Sequence, residues 1–231
     1  MAETLSYVHR FEKGTEADAR SLLLLHGTGG DENDLVPLGR MVAPGAPLLS
    51  ARGKVLENGM PRFFRRFGEG IFDEDDLRRR ANELADFVEE ARAHYGIASP
   101  IALGYSNGAN IAAAVLLLQP AALAGAILLR AMAPLSQTRP VDLTGKAVLI
   151  ASGMNDPIIS SQSAARLASA LQRYGANVEH RTLPVGHELS QADVALARAW
   201  SAPIRISEHH NAPDVMPGST GEAARSRRAS L

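Results

Sequence analysis

Cysteine is absent from this chain of 231 residues, so disulfides, thiolate nucleophiles and cysteine-ligated metal sites are excluded. An excess of one charge is absent too, because 24 Lys and Arg residues face 25 Asp and Glu residues and leave a formal net charge of -1. A near-neutral chain is a poor match for nucleic acid or for an anionic membrane surface. We therefore expect a small molecule as the partner, with no nucleic acid and no membrane insertion.

Long apolar runs are also lacking. None approaches the ~20 residues of a membrane span, and the first residues do not show the basic-then-apolar pattern of a signal peptide. We therefore expect a soluble, cytoplasmic protein. From residue 203 the composition shifts towards Pro, Ser, Gly, Ala and Arg, with few apolar residues. This shift predicts one folded domain over residues 1–202 and a flexible extension over residues 203–231.

Short apolar runs alternate with helical patterns along the chain, and several are continuous runs of the kind buried on both faces of a parallel sheet. The predicted strands cover residues 7–11, 21–25, 47–51, 101–103, 126–129, 147–152 and 178–182. One short predicted helix begins near residue 34, and the others cover about residues 73–95, 109–118, 160–174 and 190–200. The alternation predicts a single-domain α/β fold with a mostly parallel sheet of about seven strands, flanking helices and no large lid domain.

The sequence around Ser106 matches the Gly-x-Ser-x-Gly pattern of a nucleophile elbow. Apolar residues 101–103 precede it, and an apolar helix follows from Ala109. A strand that turns into a helix within one residue brings both backbones close to the serine, so a Cβ at Gly104 or Gly108 would collide. Ser106 is therefore expected at the tip of the turn, where the N-terminus of the helix faces any negative charge that develops.

A neutral serine hydroxyl is a poor nucleophile, so Ser106 needs a base within hydrogen-bond reach, and that base needs an orienting acid. Two loops offer these partners: Asp156 follows the predicted strand 147–152, and His187 follows the predicted strand 178–182. Parallel strands bring all three residues to one edge of the sheet, in the chain order that this type of fold uses. We predict that Ser106, Asp156 and His187 form a catalytic triad.

Each partner residue has a plainer interpretation when it is taken alone. Asp156 precedes a proline and could cap a turn, and His187 could be a histidine of a surface loop.

A metal site fits poorly, because His26 and His187 do not belong to a His-x-x-x-His or similar ligand pair. The glycine-rich turn over residues 26–31 lacks the Gly-Lys-Ser/Thr ending of a phosphate-binding loop. After a strand, such a turn is where an α/β-hydrolase carries half of its oxyanion hole.

Residues 52–72 show no clean period and contain several glycines together with one proline. Loops of this length inside compact domains are usually functional or disordered. The segment also holds Phe63, Phe64 and Phe67, half of the six phenylalanines of the chain. We predict a short cover over a pocket, in which Phe63 and Phe64 bind the substrate; the alternative is that these rings close the core.

Four motifs stand at the ends of predicted strands. They are Gly104-Tyr105-Ser106-Asn107-Gly108, Leu25-His26-Gly27-Thr28-Gly29-Gly30-Asp31, Gly153-Met154-Asn155-Asp156-Pro157 and Gly186-His187. Together they resemble the phospholipase/carboxylesterase family of α/β-hydrolases, which includes bacterial carboxylesterases and acyl-protein thioesterases, over about residues 5–200. The chain is most similar to the small bacterial branch, with Arg52-Gly53-Lys54 and Phe63-Phe64-Arg65-Arg66 before the long helix.

The resemblance implies a role for each residue of the predicted site. Ser106 would be the nucleophile, His187 the general base and then the general acid, and Asp156 the carboxylate that orients it. The backbone N–H groups of Thr28 and Asn107 would form the oxyanion hole. The resemblance further implies that the protein uses no cofactor and no metal, and it suggests a homodimer.

The function that follows is a serine carboxylesterase that hydrolyses short to medium acyl or aryl esters through an acyl-enzyme intermediate. Acyl-protein thioesterase and lysophospholipase activities are alternatives within the family. The turn reads Gly-Thr-Gly-Gly-Asp where acyl-protein thioesterases more often have Gly-Leu-Gly-Asp, which favours ester hydrolysis. A non-enzymatic alternative is a ligand-binding hydrolase-fold protein with little turnover.

Overall fold

The computed structural model describes residues 5–16 and 19–202, so the predicted extension over residues 203–231 lies outside the described residues. The strands, in chain order, are β1 (His9–Glu12), β2 (Leu22–Leu25), β3 (Leu48–Ala51), β4 (Val55–Glu57), β5 (Met60–Arg62), β6 (Arg66–Gly68), β7 (Ile71–Phe72), β8 (Ile101–Tyr105), β9 (Gly125–Leu129), β10 (Ala147–Gly153) and β11 (Asn177–Leu183). The α-helices of the described residues are α1 (Val36–Val42), α2 (Glu74–Tyr95), α3 (Asn107–Leu118), α4 (Ser161–Arg173) and α5 (Gln191–Ser201).

Seven strands form the central sheet, in the order β1-β3-β2-β8-β9-β10-β11. All neighbouring pairs are parallel except β1 and β3. The predicted sheet of about seven mostly parallel strands is confirmed, and each predicted strand is present to within two residues at its ends. Because β2, β8, β10 and β11 point the same way, the loops that follow them open at one edge of the sheet.

Helices cover both faces of the sheet, and the alternation of side chains along each strand decides which face a residue joins. In β2, Leu22 and Leu24 pack under α1 and α5, whereas Leu23 and Leu25 join the core formed with α2, α3 and α4. These buried residues explain why the strands appear in the sequence as continuous apolar runs. The result is a three-layer arrangement, and no large lid is inserted within the described residues.

Helix α2 has the ends that its sequence indicates. Asp73 is the N-cap and accepts a hydrogen bond from the N–H of Asp76, and acidic residues fill the first turn, where the helix dipole favours them. The helix ends at Tyr95 and is capped by Gly96, whose φ of 66° lies in the left-handed region that glycine adopts without strain. None of the described helices combines the length and the apolar character needed to cross a membrane.

The segment over residues 52–72 is not the irregular loop that its composition predicts. It folds into two antiparallel hairpins, one from β4 and β5 and the other from β6 and β7. In the first hairpin Asn58 and Gly59 form the two-residue turn, with φ values of 51° and 80°. Positive φ at both positions is the signature of a type I′ turn, whose twist matches that of paired strands.

Candidate active site

The predicted strand-to-helix junction around Ser106 is confirmed. Strand β8 ends at Tyr105 and α3 begins at Asn107, so Ser106 alone makes the turn, at φ 51° and ψ -111°. A Cβ added at Gly104 would lie 2.6 Å from the carbonyl oxygen of Gly108, and one added at Gly108 would lie 2.0 Å from that of Leu25. Both glycines are therefore required by close backbone contacts.

His187 lies between Ser106 and Asp156, with one ring nitrogen directed at each. Its Nε2 is 3.0 Å from Ser106 Oγ, and its Nδ1 is 2.8 Å from Asp156 Oδ2. A carboxylate can only accept, so Nδ1 carries the proton, and Nε2 is left to accept a hydrogen bond from the serine hydroxyl. The structure thus brings together the three residues that the sequence predicts as partners.

The Asp156 carboxylate is itself fixed in orientation. Its Oδ1 accepts hydrogen bonds from the N–H groups of Ile158 and Ile159, at 2.8 and 2.9 Å, and leaves Oδ2 for His187. The Asp156 side chain is 1% exposed, whereas that of His187 is 15% exposed. A buried carboxylate behind a partly accessible imidazole is the arrangement that a proton-transfer site needs.

The glycine-rich turn after β2 packs against the elbow. A Cβ added at Gly27 would lie 2.8 Å from the ring of Tyr105, and the carbonyl oxygens of Leu25 and His26 lie against Gly108. Thr28 follows in this turn, and within the described part of the chain neither its N–H nor that of Asn107 donates a hydrogen bond to another backbone group. Within the described residues both N–H groups are therefore left without a backbone acceptor, and they belong to the two residues that the resemblance implies as oxyanion donors.

His26 connects this turn to the segment that follows β3. Its Nδ1 donates to the carbonyl oxygen of Gly27 at 2.6 Å, and its Nε2 accepts from the N–H of Gly53 at 3.0 Å. Burial lowers the pKa of His26 below its usual value, even though the Gly27 carbonyl favours the charged ring. A neutral His26 is required, because a protonated Nε2 could not accept from Gly53.

Two further polar side chains tie the hairpins to the site, and sequence reasoning missed both contacts. Arg62, with its side chain only 3% exposed, donates from Nη1 to Thr28 Oγ1 at 2.8 Å. Burial lowers the pKa of Arg62, and Glu57 lies 3.0 Å from its guanidinium as a counter-charge. Asn107 Oδ1 accepts from the N–H of Phe63 at 2.8 Å. The hairpins are thus anchored to both residues that the resemblance implies as oxyanion donors.

Phe63 and Phe64 were predicted to bind the substrate, and the structure corrects this. Their exposures are 1% and 0%, and both belong to the main core. The Phe63 ring lies 4.7 Å from that of His26, and the Phe64 ring meets that of Phe72 edge-on at 5.0 Å. The alternative interpretation of the sequence, that these rings close the core, agrees with their positions, because a ring without accessible surface presents none to a substrate.

Phe64→Ala is therefore expected to lower the free energy of unfolding by about 3–5 kcal/mol, as loss of a fully buried aromatic ring does. Rates for an acetate ester and for an aromatic ester should change by the same factor. Urea denaturation and kcat/KM for the two esters provide the measurement. Phe67→Ala is the matched control, since that ring is 77% exposed in the same segment. If Phe64→Ala lowered kcat/KM for the aromatic ester alone, this ring would have to contact the substrate after all.

Apolar side chains at the surface lie near the site instead. Met60 is 41% exposed, and its sulfur lies 3.6 Å from the position of a Cβ at Gly29, in the turn that contains Thr28. Met154 and Ile158 are 64% and 48% exposed, and they flank Asp156. Methionine adapts its shape to irregular apolar ligands.

Within the described residues, no group of three or more His, Asp and Glu side chains is placed to hold a metal ion.

Arg130 is a buried charged residue near the site that the sequence analysis did not consider. It directly follows β9, is 0% exposed and forms an ion pair with Asp193. Its guanidinium also reaches the carbonyl oxygens of Gly186 and Glu188, the neighbours of His187. The signal that could have revealed it is an arginine embedded in the apolar stretch Leu128-Leu129-Arg130-Ala131, where a charge needs a buried partner.

A mostly parallel sheet, a serine at a strand-to-helix junction, and an aspartate and a histidine after later strands together define an α/β-hydrolase. Comparison with known protein families gives a narrower result. The phospholipase/carboxylesterase family matches residues 9–200, and the chain belongs to that family. The resemblance found in the sequence is thereby confirmed.

Known relatives agree with this assignment. The chain is 46% identical over 194 residues to the protein named "Putative hydrolase MhqD" from Bacillus subtilis (strain 168), covering 83% of this chain and 96% of the relative. A crystal structure of the Bacillus cereus carboxylesterase is 47% identical, with a TM-score of 0.83 over 85% of this chain and 93% of that one. A carboxylesterase structure from Mesorhizobium loti is 35% identical, with a TM-score of 0.81 over 85% and 94% of the two chains. These relatives support an enzyme of the hydrolase class.

Proposed function

We propose that the protein is a serine carboxylesterase in which Ser106 is the nucleophile, His187 the general base and acid, and Asp156 the carboxylate that orients His187. The observation that carries the proposal is that one imidazole makes two hydrogen bonds: its Nε2 accepts from the Ser106 hydroxyl at 3.0 Å, and its Nδ1 donates to Asp156 at 2.8 Å. Three residues separated by tens of positions in the chain meet with the donors and acceptors that proton transfer requires.

Acylation begins when Ser106 Oγ attacks the ester carbonyl carbon and its proton passes to His187 Nε2. The carbonyl oxygen becomes negatively charged and accepts hydrogen bonds from the N–H groups of Thr28 and Asn107. Collapse of this intermediate breaks the bond to the alcohol oxygen, which takes the proton from His187. A water molecule then attacks the acyl-serine by the same route, releasing the carboxylic acid and returning the proton to Ser106.

The start of α3 supports this charge distribution. The helix has 12 residues, and its first free N–H groups point towards the serine that precedes it. The positive end of the helix dipole stabilises a negative charge by about 0.3–1 kcal/mol at an exposed site, and by up to about 2 kcal/mol when the site is partly buried. This stabilisation acts on a charge that exists only during the reaction, so it raises kcat.

The substrates that fit this site are short to medium acyl or aryl esters with an apolar group. The described residues contain no large lid, so the site is open, and the apolar surface beside it comes from Met60, Met154 and Ile158. Aromatic and aliphatic groups bury surface against such side chains at about 25 cal/mol per Å². Charged groups of a substrate gain little binding free energy there, because these three side chains carry no charge.

The test is a pre-steady-state assay with p-nitrophenyl acetate, followed by an ester panel of increasing acyl length. A burst of p-nitrophenolate, a steady turnover after it and an acetyl adduct on Ser106 in mass spectrometry are expected. A burst that stalls would favour a ligand-binding protein with little turnover. The same panel should include a thioester and a lysophospholipid, which test the related activities. Lack of both burst and turnover with every substrate would contradict the proposal.

Met60→Ala is expected to raise KM for an aromatic ester about tenfold, in line with the contact energy lost when an apolar pocket group is removed. The KM for an acetate ester should change little, because an acetyl group offers little apolar surface for Met60 to contact. The measurement is KM and kcat for both esters. Leu56→Ala is the control, since Leu56 is 71% exposed on the opposite strand of the same hairpin. If the two substitutions changed KM for the aromatic ester equally, Met60 would not be part of the binding site.

A further inference from the structure

Arg130 is in a position that few charged residues occupy. It is 0% exposed, and its φ of 57° lies in the left-handed region that non-glycine residues rarely adopt. Its N–H donates to the carbonyl oxygen of Ala151 at 2.9 Å, which holds the residue between β8 and β10. Burying a charge and adopting a strained backbone both cost free energy, and such outliers cluster at functional sites.

All five N–H groups of the Arg130 guanidinium have acceptors. Two form a bidentate pair with Asp193, at 2.7 and 2.9 Å, and Nη1 also donates to Ala151 at 3.3 Å. The remaining two donate to the carbonyl oxygens of Gly186 and Glu188, at 2.9 and 3.1 Å. Only the planar fork of arginine can satisfy an acid and backbone carbonyls in this way.

Asp193 connects the pair to helix α5. Its Oδ2 accepts from the N–H and the hydroxyl of Ser190, at 2.8 Å each, and the bond from the N–H is one half of the capping box of the helix. Burial alone would raise the pKa of Asp193, but the hydrogen bonds from Arg130 and Ser190 outweigh burial and lower it. The carboxylate is therefore charged, and it joins the start of α5 to the loop that carries His187.

The His187 loop is held through four consecutive carbonyl oxygens. That of Val185 accepts from the N–H of Asn155 at 3.0 Å, and that of His187 accepts from the hydroxyl of Tyr105 at 3.2 Å. The two that remain, on either side of His187, are the ones that Arg130 binds. Among the described residues, Arg130 is thus the single side chain that binds carbonyl oxygens on both sides of the candidate base.

We infer that Arg130 and Asp193 act as a positioning pair for His187: they hold its backbone so that one imidazole reaches Ser106 and Asp156 together. The inference rests on the proposed function for its effect on rate. A buried ion pair is weak support for stability, because replacing both partners by apolar residues is often neutral. The hydrogen bonds to the carbonyls flanking His187 give the pair a role that apolar residues cannot replace.

The central test is the double variant Arg130→Met/Asp193→Leu, which removes both buried charges and so preserves folding better than either single change. We expect kcat for p-nitrophenyl acetate to fall about 10²-fold, the loss that a displacement of about 1 Å causes at a reacting group. KM should stay within about threefold, because the pair does not face the substrate. Arg130→Lys keeps the charge but loses the fork, and it should also lower kcat while the protein remains folded.

Proton NMR provides a readout that does not depend on turnover. The His187 Nδ1 proton, held against Asp156, should give a downfield signal that is assigned by its disappearance in His187→Gln. We expect this signal in the unaltered protein and its loss or broadening in both Arg130 variants. Arg40→Met is the control, since Arg40 forms an ion pair with Glu12 at the surface, and this variant should change neither the signal nor kcat.

The two proposals fail in different ways. If the unaltered protein hydrolyses no ester, the proposed function is wrong, and the His187 signal still decides whether Arg130 positions the ring. If the unaltered protein is active, and the folded Arg130 variants keep their kcat or retain the signal, the inference is overturned. Recovery of kcat in the double variant alone would show that the pair serves only stability, and it would overturn the inference as well.

Discussion

Replacing Ser106 by alanine is expected to lower kcat for ester hydrolysis about 10⁶-fold, the loss typical of a serine that acts as nucleophile in a triad. Alanine keeps the Cβ of Ser106, but it has no oxygen to attack the carbonyl or to accept the acyl group. The variant should fold normally, because among the described residues the hydrogen bond to His187 is the only one that Ser106 Oγ makes to a side chain. The measurements are kcat with an activated ester and mass spectrometry after exposure to it, in which no adduct should form.

The Ser106→Gly variant tests whether the backbone at Ser106 is strained. Ser106 has a φ of 51° and a ψ of -111°, and such strained conformations cost about 1–3 kcal/mol for a residue with a Cβ. The glycine variant should be as inactive as the alanine variant but more stable, with a higher melting temperature. Retention of a tenth of the activity in either variant would reject Ser106 as nucleophile. A glycine variant less stable than the alanine variant would show that the turn is not strained.

Asp156→Asn is expected to lower kcat by up to about 10⁴-fold while the fold is preserved. The N–H groups of Ile158 and Ile159 would keep the amide oxygen, so the amide nitrogen would face His187 Nδ1 and donate to it. The ring would then carry its proton on Nε2, where it cannot accept the proton of Ser106. The KM should change little, because Asp156 lies behind the imidazole and not beside the substrate.

The matched control for this change is Asp142→Asn. Asp142 makes the same local turn, with its Oδ1 accepting the N–H of Thr144 at 2.9 Å, but it precedes β10, whereas Asp156 follows that strand. This variant should keep the full rate, which separates loss of the orienting carboxylate from loss of an aspartate turn. If Asp156→Asn were as active as the unaltered protein, another residue would have to orient His187.

The sequence was sufficient to predict the sheet and the three residues that meet at its edge. The continuous apolar runs mark strands buried on both faces, and every strand of the central sheet lies within two residues of its prediction. Ser106, Asp156 and His187 could be placed because parallel strands end at a common edge, so strand order along the chain predicts proximity in space. Their roles remain a proposal that the variants above test.

The hairpins over residues 52–72 were missed because their strands are only two or three residues long, too short to show a period. A local signal was nevertheless present: Asn58-Gly59 between two short runs is the strongest sequence pattern for a two-residue hairpin turn. The error in assigning Phe63 and Phe64 to the substrate followed from the same cause. The two rings lie in the short link between the hairpins, where they are buried in the core.

Arg130 could not be interpreted from the sequence, because its meaning depends on contacts with residues more than fifty positions away. Nothing local links it to Gly186, Glu188 or Asp193, and each of these becomes its neighbour only when β9, β10 and β11 align in the sheet. A run of apolar residues can be predicted to be buried by its composition alone. A buried charge can be interpreted only when its partner is known.

The open turn at Asn58 and Gly59 has a consequence for how substrate preference can change. A Cβ added at Gly59 meets nothing within 4 Å, while the base of the same hairpin is held by Arg62 on Thr28 and by the carbonyl of Pro61 on Gly29. Doubling the length of a loop costs only about 0.6 kcal/mol. If Met60 borders the substrate as proposed, new residues grafted at this tip would reshape the surface beside it and leave Ser106 and His187 in place, so that substrate range could be altered without altering the reacting groups.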